Sequence, residues 1–597
     1  MDKRTIIGII LIVIITLLMP FYQRWITGGK TPLPPKSDIQ HDTTTVVKKP
    51  QKIEKAVPQT EQNIVREDTI THQSIKNVEI HESPETKTIE IETDLIHAII
   101  SSKNGGNPTL WKLKKYKHYS GGFVNLIDKN GLDVDFLNID GKEIHLSDYN
   151  LFVDSPISNK IKLNKSNQIG EIKFYLPVGR GRIEKIIRIY PDKYSFDVII
   201  RFTNLQNYVI NRRYEIGWKN GLPPTEININ DDNNYSRAYA YMAEELENID
   251  ASDEKTEQKD FNGRVDWVAI RSKYFLAAII PSNPDRSNGA SLSSIFRKKE
   301  IPPRKYFNIG IDQTFEPVPA HTDTFLVYLG PLDYFLLKKY RVDLESLVMN
   351  KDWYERLFRP ISLLIIPAFK FIHRFIPNYG LVIIIFAFLI KILLHPLTKK
   401  SYQSMSEMQY LQPKLTEIRE KYKNDPQRMN REMMKLYKEH GVNPMGGCLP
   451  MLLQMPLLVA LFIVFRSTIQ LRGQPFMLWI NDLSAPDTLS IGINLPLFGN
   501  NIHVLPILMG LTMIWQSKMS ITDPKQKMMA YFMPLFMIFI FYSLPSGLNL
   551  YYAVFNVLSM IQTRQIKKKM HPNNGKEVKT TTPPTTRTKV SKSKKKS

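Results

Sequence analysis

Apolar residues are gathered into blocks along this chain. Residues 6–19 are Ile, Leu and Val, relieved by one Gly, one Thr and a closing Met. The next long apolar runs come only after residue 360, at 379–394, 449–465, 504–515, 528–544 and 548–561. With their flanks most reach the roughly 17–25 residues that cross ~30 Å of hydrocarbon, which predicts six transmembrane helices. Residues 20–378, between the first and second runs, are mostly polar. The pattern is that of a polytopic α-helical membrane protein carrying a large extramembrane insert.

Residues 1–25 place the first run behind Asp2-Lys3-Arg4 with no small-x-small cleavage site after it, which predicts an uncleaved signal anchor. Residues 26–84, rich in Pro, Thr, Lys, Gln and Glu and without periodicity, predict a flexible linker. Over 85–345 the pattern is β-like. Thr88-Ile-Glu-Ile-Glu92 alternates, and 195–200 and 324–329 are β-branched and aromatic. Asn104-Gly105-Gly106 and Gly121-Gly122 mark turns, so a β-sandwich is expected. The acidic stretch 231–260 is expected to be a long loop. If residues 350–378 are helical, Arg356, Arg359, Lys370 and Arg374 fall within about 60° of one another. That predicts an amphipathic helix at the membrane surface, kinked at Pro360 and Pro367, rather than a seventh span. Residues 379–566 form a five-helix core interrupted by a helical hairpin at 398–445. Asn424-Asp425-Pro426 is the hairpin's break, with Asp425 as N-cap, Pro426 at the first helical position and Gly441 closing the second helix.

Charge then sets the orientation. The chain has 597 residues, 43% hydrophobic, with formal net charge +23. The hairpin carries ten Lys/Arg against six Asp/Glu, and the stretch 564–597 carries twelve against one. With six spans both fall on one side, which the positive-inside rule assigns to the cytoplasm together with both termini; the β-domain is then outside. Residues 567–597, dominated by Thr, Pro, Ser and Lys, predict a disordered basic tail. Charge that first hints at nucleic acid becomes a topology signal and a contact for ribosomal RNA or anionic lipid. One cysteine, Cys448, excludes an internal disulfide and a cysteine-based metal cluster.

No phosphate loop, zinc-binding HExxH or Ser-His-Asp order is present, and the twelve histidines are scattered, so neither an enzyme nor a cofactor or metal site is expected. The five later spans contain no Asp or Glu, which counts against an ion-coupled transporter. They do contain Lys391, seven residues and about 10 Å inside the 396–400 boundary. Two readings stay open: a lysine that snorkels to the interface, or a charge that faces a watery cavity. Gln454 and Gln516 offer polar groups to such a cavity. In the last span Asn549, Tyr552, Asn556 and Ser559, spaced 3, 4 and 3, share a face within about 80°. Ordinary interhelical hydrogen bonding accounts for such residues equally well. Nineteen of the 22 methionines lie at or after Met349, among them Met405, Met408, Met429 and Met433 of the hairpin. Flexible thioethers suit either core packing or the reception of varied apolar clients.

Several stretches resemble the YidC membrane protein insertases. They are Lys391-Ile-Leu-Leu-His-Pro-Leu-Thr-Lys399, Leu411-Gln-Pro-Lys414, Val442-Asn-Pro-Met-Gly-Gly-Cys-Leu-Pro450, Gln454-Met-Pro456, Phe476-Met-Leu-Trp-Ile-Asn-Asp-Leu-Ser484, Leu505-Pro-Ile-Leu-Met-Gly510 and Pro545-Ser-Gly-Leu-Asn-Leu-Tyr-Tyr552. In the insert, Val265-Asp-Trp-Val-Ala-Ile270 and Lys273-Tyr-Phe275 are similar to the periplasmic domain of the Gram-negative form, a β-supersandwich. The resemblance implies an inner-membrane protein that inserts newly made membrane proteins, alone or with the Sec translocon. Its instrument is a positively charged groove open to cytoplasm and lipid. Lys391 stands where the family usually has arginine, so charge is kept while the planar bidentate fork is lost. Tyr551 and Tyr552 match the family's paired tyrosines near substrate, and the polar stripe favours Tyr552 as the groove-facing one. Nascent membrane proteins, the Sec translocon, the ribosome through the basic tail and anionic lipids are the implied partners of a monomeric core. A transporter or lipid flippase, and an envelope-binding protein anchored by the helices, are the alternatives.

Overall fold

The computed structural model describes residues 79–129, 131–154, 158–164, 168–349, 353–442, 449–495, 499–520 and 527–570. The expected signal anchor, linker and basic tail lie outside these residues. Two compact units divide between Gly330 and Pro331.

The first unit is β-rich, as its two-residue periodicity predicts. In the strand Gly170–Val178, Ile172, Phe174, Leu176 and Val178 all point inward while the residues between them are more exposed. A nine-stranded sheet runs, in spatial order, Glu245–Ile249, Arg237–Met242, Trp267–Arg271, Phe275–Pro281, Ala320–Pro331, Ser195–Thr203, Gly181–Ile189, Gly170–Val178 and Phe152–Val153. A six-stranded sheet, with Arg304–Thr314 and Val209–Trp218 at its centre, meets it through Phe202 against Tyr214, ring centroids 5.1 Å apart. A five-stranded sheet that includes Thr88–Glu92 meets it through Trp111 against Phe196 at 5.0 Å. The Trp111 indole is fully buried and donates to the Leu329 carbonyl at 2.9 Å, so its one polar atom is satisfied inside the core.

The acidic stretch 231–260 is not a loop. It ends the helix Ile229–Tyr235 and contributes the strands Arg237–Met242 and Glu245–Ile249 and most of Glu257–Asn262. Most of its acids, Glu244, Glu245, Asp253, Glu254, Glu257 and Asp260, stay exposed on these strands and turns, while the first two are drawn inward. The Asp232 carboxylate takes the amides of Thr225 and Lys273, and Asp231 pairs with the Lys273 ammonium at 2.6 Å.

The second unit is helical. Its helices are α1 Trp353–Phe375, α2 Tyr379–Tyr410, α3 Gln412–Lys421, α4 Pro426–Glu439, α5 Leu449–Ser467, α6 Val504–Ser520, α7 Lys527–Phe541 and α8 Ser546–Met570. Asn378 caps α2 by accepting from the Leu381 amide, and α2 runs unbroken through Pro396. The first arm of the hairpin is thus the continuation of an apolar helix. Asp425 caps α4 through the Arg428 amide at 3.0 Å, with Pro426 behind it, and Gly441 takes positive φ just after the helix ends. Among the described residues only α2 is long and apolar enough to cross a bilayer; Leu453–Ser467 and Tyr531–Phe541 are shorter apolar helices.

Helix α1 continues through Pro360 and Pro367 and presents three faces. Ser362, Ile365, Phe369 and Ile372 are buried, and the Ser362 hydroxyl donates to the Ala460 carbonyl on α5 at 3.2 Å. Trp353, Leu357, Leu364, Phe371 and Phe375 are all exposed, Leu364 to 75%. At 100° per residue these five lie within about 40° of one another, on the side away from the buried face. The four cations line one flank between the two.

Candidate functional site: a lysine on the inner face of an apolar helix

Helix α2 is polarised in the sense opposite to a soluble helix. Leu381, Phe388, Leu389, Ile392, Leu393 and Leu397 face outward, whereas Val382, Ile383, Phe386, Ala387 and Lys391 face the interior. Lys391 is 8% exposed. Its ammonium donates to Ser559 Oγ on α8 at 2.7 Å and to the Tyr402 hydroxyl at 3.4 Å. The Phe555 and Tyr402 rings lie 4.6 and 5.2 Å from Nζ. Tyr402 is eleven residues further along the same helix, close to three turns of about 3.6 residues, so both side chains leave the same face. One turn on, His395 meets Gln562 at 2.8 Å. Polar rungs thus continue the α2–α8 interface past Lys391.

The other expected groove residues do not share one surface. Asn556 donates to Thr512 Oγ1 on α6 at 3.2 Å. Asn549 is fully buried and donates to the carbonyls of Phe541 and Leu544, closing the end of α7. Tyr551 and Tyr552 are both buried, so the stripe does not single out Tyr552. Tyr551 stacks on Phe555, the ring beside Lys391, whereas Tyr552 packs edge-on against Phe541. The stripe fails as one face because α8 is packed against both α2 and α6, and each polar residue is taken by whichever neighbour is nearest. Gln454 and Gln516 are half-buried on α5 and α6. Spacing signals had Ser559 in the stripe but missed Tyr402, since Pro396 reads as the end of the span.

Met408 and Met433 pack, partly buried, against Leu411, Leu415 and Val442, the hairpin's own small core. Met405 and Met429 are half-buried, and Met434 is the more exposed thioether of the hairpin.

In the β-unit, Asp133, Asp135 and His145 bring three ligand atoms within 4.8 Å of one another. Lys219 already bridges both carboxylates at 2.8 Å and His145 bonds Asp135 at 2.7 Å. The charge is balanced by protein groups, and the cluster reads as a buried ion network rather than a metal centre.

Comparison with known proteins turns this geometry into a function. Residues 371–574 match the family model described as 60Kd inner membrane protein, and residues 88–360 match that of the YidC periplasmic domain. A membrane protein insertase YidC of Pelodictyon phaeoclathratiforme is 35% identical over 585 residues, 95% of each chain. The chain belongs to the YidC membrane protein insertase family. A YidC of Chlorobium luteolum is 39% identical over 79% of this chain and 81% of its own. A crystal structure of an active YidC insertase with its first transmembrane domain resolved aligns over 81% of this chain and 94% of its own, at 19% identity and TM-score 0.35. The β-unit is thus a YidC periplasmic domain, the helical unit is the insertase core, and the chain is an inner-membrane insertase and not an enzyme. The transporter and envelope-binding alternatives give way to this assignment.

Proposed function

We propose that the core inserts client membrane proteins by presenting the Lys391 ammonium to the polar, acidic segment that a client must carry across. Six spans place both termini and the hairpin in the cytoplasm and the β-domain in the periplasm. Gln454, Gln516, Tyr551, Tyr552 and Asn556 lend polarity to the same intramembrane groove. The observation that carries the reading is the placement of Lys391: inward-facing, beside hydroxyls and aromatic rings, with no carboxylate as its recorded partner among the described residues. An ammonium taken out of water without a counter-ion is costly, and a passing carboxylate relieves that cost. Its inward contacts also argue against snorkelling, because the amine is tied to α8. Met405, Met408, Met429 and Met433 of the hairpin receive the client, and its apolar segment leaves sideways into lipid. Helix α1, with its cations beside an exposed apolar stripe, lies in the headgroup region. The basic tail contacts ribosomal RNA or anionic lipid, and the core works alone or beside the Sec translocon as a monomer. Lys391→Ala and Lys391→Glu, assayed for insertion of a client with an acidic outer segment and of its neutral counterpart, test the groove charge. Selective loss of the acidic client supports it; unchanged insertion of every acidic client refutes it.

A further inference from the structure

Lys391 is not merely buried; its direction is fixed. Ser559 Oγ gives its own hydrogen to the Phe555 carbonyl one turn back, at 2.8 Å. That orientation leaves an oxygen lone pair turned to the Lys391 ammonium, 2.7 Å away. From the other side Tyr402 offers its hydroxyl oxygen at 3.4 Å and the face of its ring at 5.2 Å. Phe555 closes a third side with its ring 4.6 Å from Nζ. A lysine ammonium carries three hydrogens, and two acceptors engage two of them, which leaves one uncommitted among the described residues. Both acceptors come from helix faces whose position is set elsewhere. Ser559 lies on α8 between Asn556, bonded to α6, and Gln562, bonded to His395. Tyr402 belongs to the unbroken α2 and is itself buried.

A free lysine at this depth has four rotatable bonds with which to reach toward water. The Ser559 and Tyr402 oxygens compete with that escape. We propose that Ser559 and Tyr402 are positioning residues that hold the Lys391 ammonium inward, with one hydrogen left for a client carboxylate. This rests on the groove-charge reading above. The arrangement suits a compact ammonium, whose donors radiate from one atom, and not a planar guanidinium, whose donors form a fork.

The test uses the full chain in proteoliposomes and two clients that differ only in whether the outer segment is acidic or neutral. The readout is the ratio of acidic to neutral insertion. Ser559→Ala and Tyr402→Phe remove one acceptor each while keeping volume or ring. Each is expected to lower the ratio several-fold, and together they are expected to approach the roughly tenfold worth of a charge-assisted hydrogen bond. Ser559→Thr, which keeps the hydroxyl, is expected to restore the ratio. Lys391→Ala run in parallel separates the two ideas. If Lys391→Ala leaves the ratio untouched, the groove charge itself is wrong. If Lys391→Ala collapses the ratio while Ser559→Ala and Tyr402→Phe keep the parental value, the positioning role is overturned. Equal slowing of both clients by Ser559→Ala marks a purely structural residue and overturns it as well.

Discussion

Asp487 stands at the start of α6, and its replacement gives a sharp test of how that helix is held. The side chain is almost fully buried. Its Oδ2 accepts three hydrogen bonds, from the amides of Val504 and Leu505 at 2.8 and 2.9 Å and from the Trp479 indole at 2.9 Å. The other oxygen, Oδ1, is buried with no partner. Asp487→Ala leaves two first-turn amides without their acceptor, worth about 0.5–2 kcal/mol as a lost cap. It strands the indole donor for about 1–3 kcal/mol more and removes a negative charge from a helix N-terminus for about 0.3–1 kcal/mol. The sum is on the order of 3 kcal/mol. Asp487→Asn behaves differently: the amide oxygen takes over all three bonds, the amide nitrogen replaces the unused Oδ1, and only the charge term of up to about 1 kcal/mol is lost. At roughly 2–4 °C per kcal/mol, the alanine variant is expected to melt about 10 °C below the parent and the asparagine variant within about 4 °C of it. The assay is a thermal series on detergent-purified protein, read as the monodisperse fraction surviving on size exclusion. Equal melting of the two variants would refute the cap, since it would mean that the charge, which both lose, and not the three bonds does the holding.

Three other outcomes follow from the structure. A Cβ added at Gly380, on the inner face of α2, would land on the Phe476 ring, so Gly380→Ala should cost about 1–3 kcal/mol of thermal stability and regain much of it when combined with Phe476→Ala. Burial pushes the Glu215 carboxyl up to about 7, against a bond from Ser291. A carboxyl raised in the folded state favours folding only while protonated, so its contribution fades between about pH 4.3 and 7 and is absent above; Glu215→Gln should therefore melt with the parent at pH 5 and higher than the parent at pH 8, and parallel pH profiles would contradict this. Nitroxides attached at positions 364 and 371 of the liposome-reconstituted protein should collide with dissolved oxygen more than with a water-soluble nickel chelate; the reverse order would take α1 out of the headgroup region.

Much of the architecture was readable wherever one physical rule governed a stretch. Alternation marks the strand at 88–92, β-branched and aromatic residues mark the one at 195–200, and Asp425 with Pro426 marks the start of α4, because cap chemistry is local. The strands at 237–262 were hidden because their exposed acids look like those of a loop, and a strand with a solvent-facing edge keeps just such residues. The partners of Lys391 were hidden for another reason. Tyr402 shares its face only if α2 continues past Pro396, and continuity through a proline is decided by packing, which local preference does not encode. The polar stripe of α8 is divided between α2 and α6, since periodicity says which residues share a face and not how many neighbours divide it.

The strand order of the periplasmic domain bears on when this protein can be made whole. In the nine-stranded sheet, one group of neighbouring strands comes from 152–203 and the other from 237–281, and the strand that joins them, Ala320–Pro331, is the last to leave the ribosome. Each group can form hairpins early, but the two cannot share a ladder until that final strand slots between Ser195–Thr203 and Phe275–Pro281. Since chains fold as they are synthesised, N-terminal parts first, the sheet closes only some twenty residues before α1 begins. The sheet is therefore a single ladder only once the whole stretch from 152 to 331 has been made, and a chain cut short of residue 320 leaves two separate groups of strands.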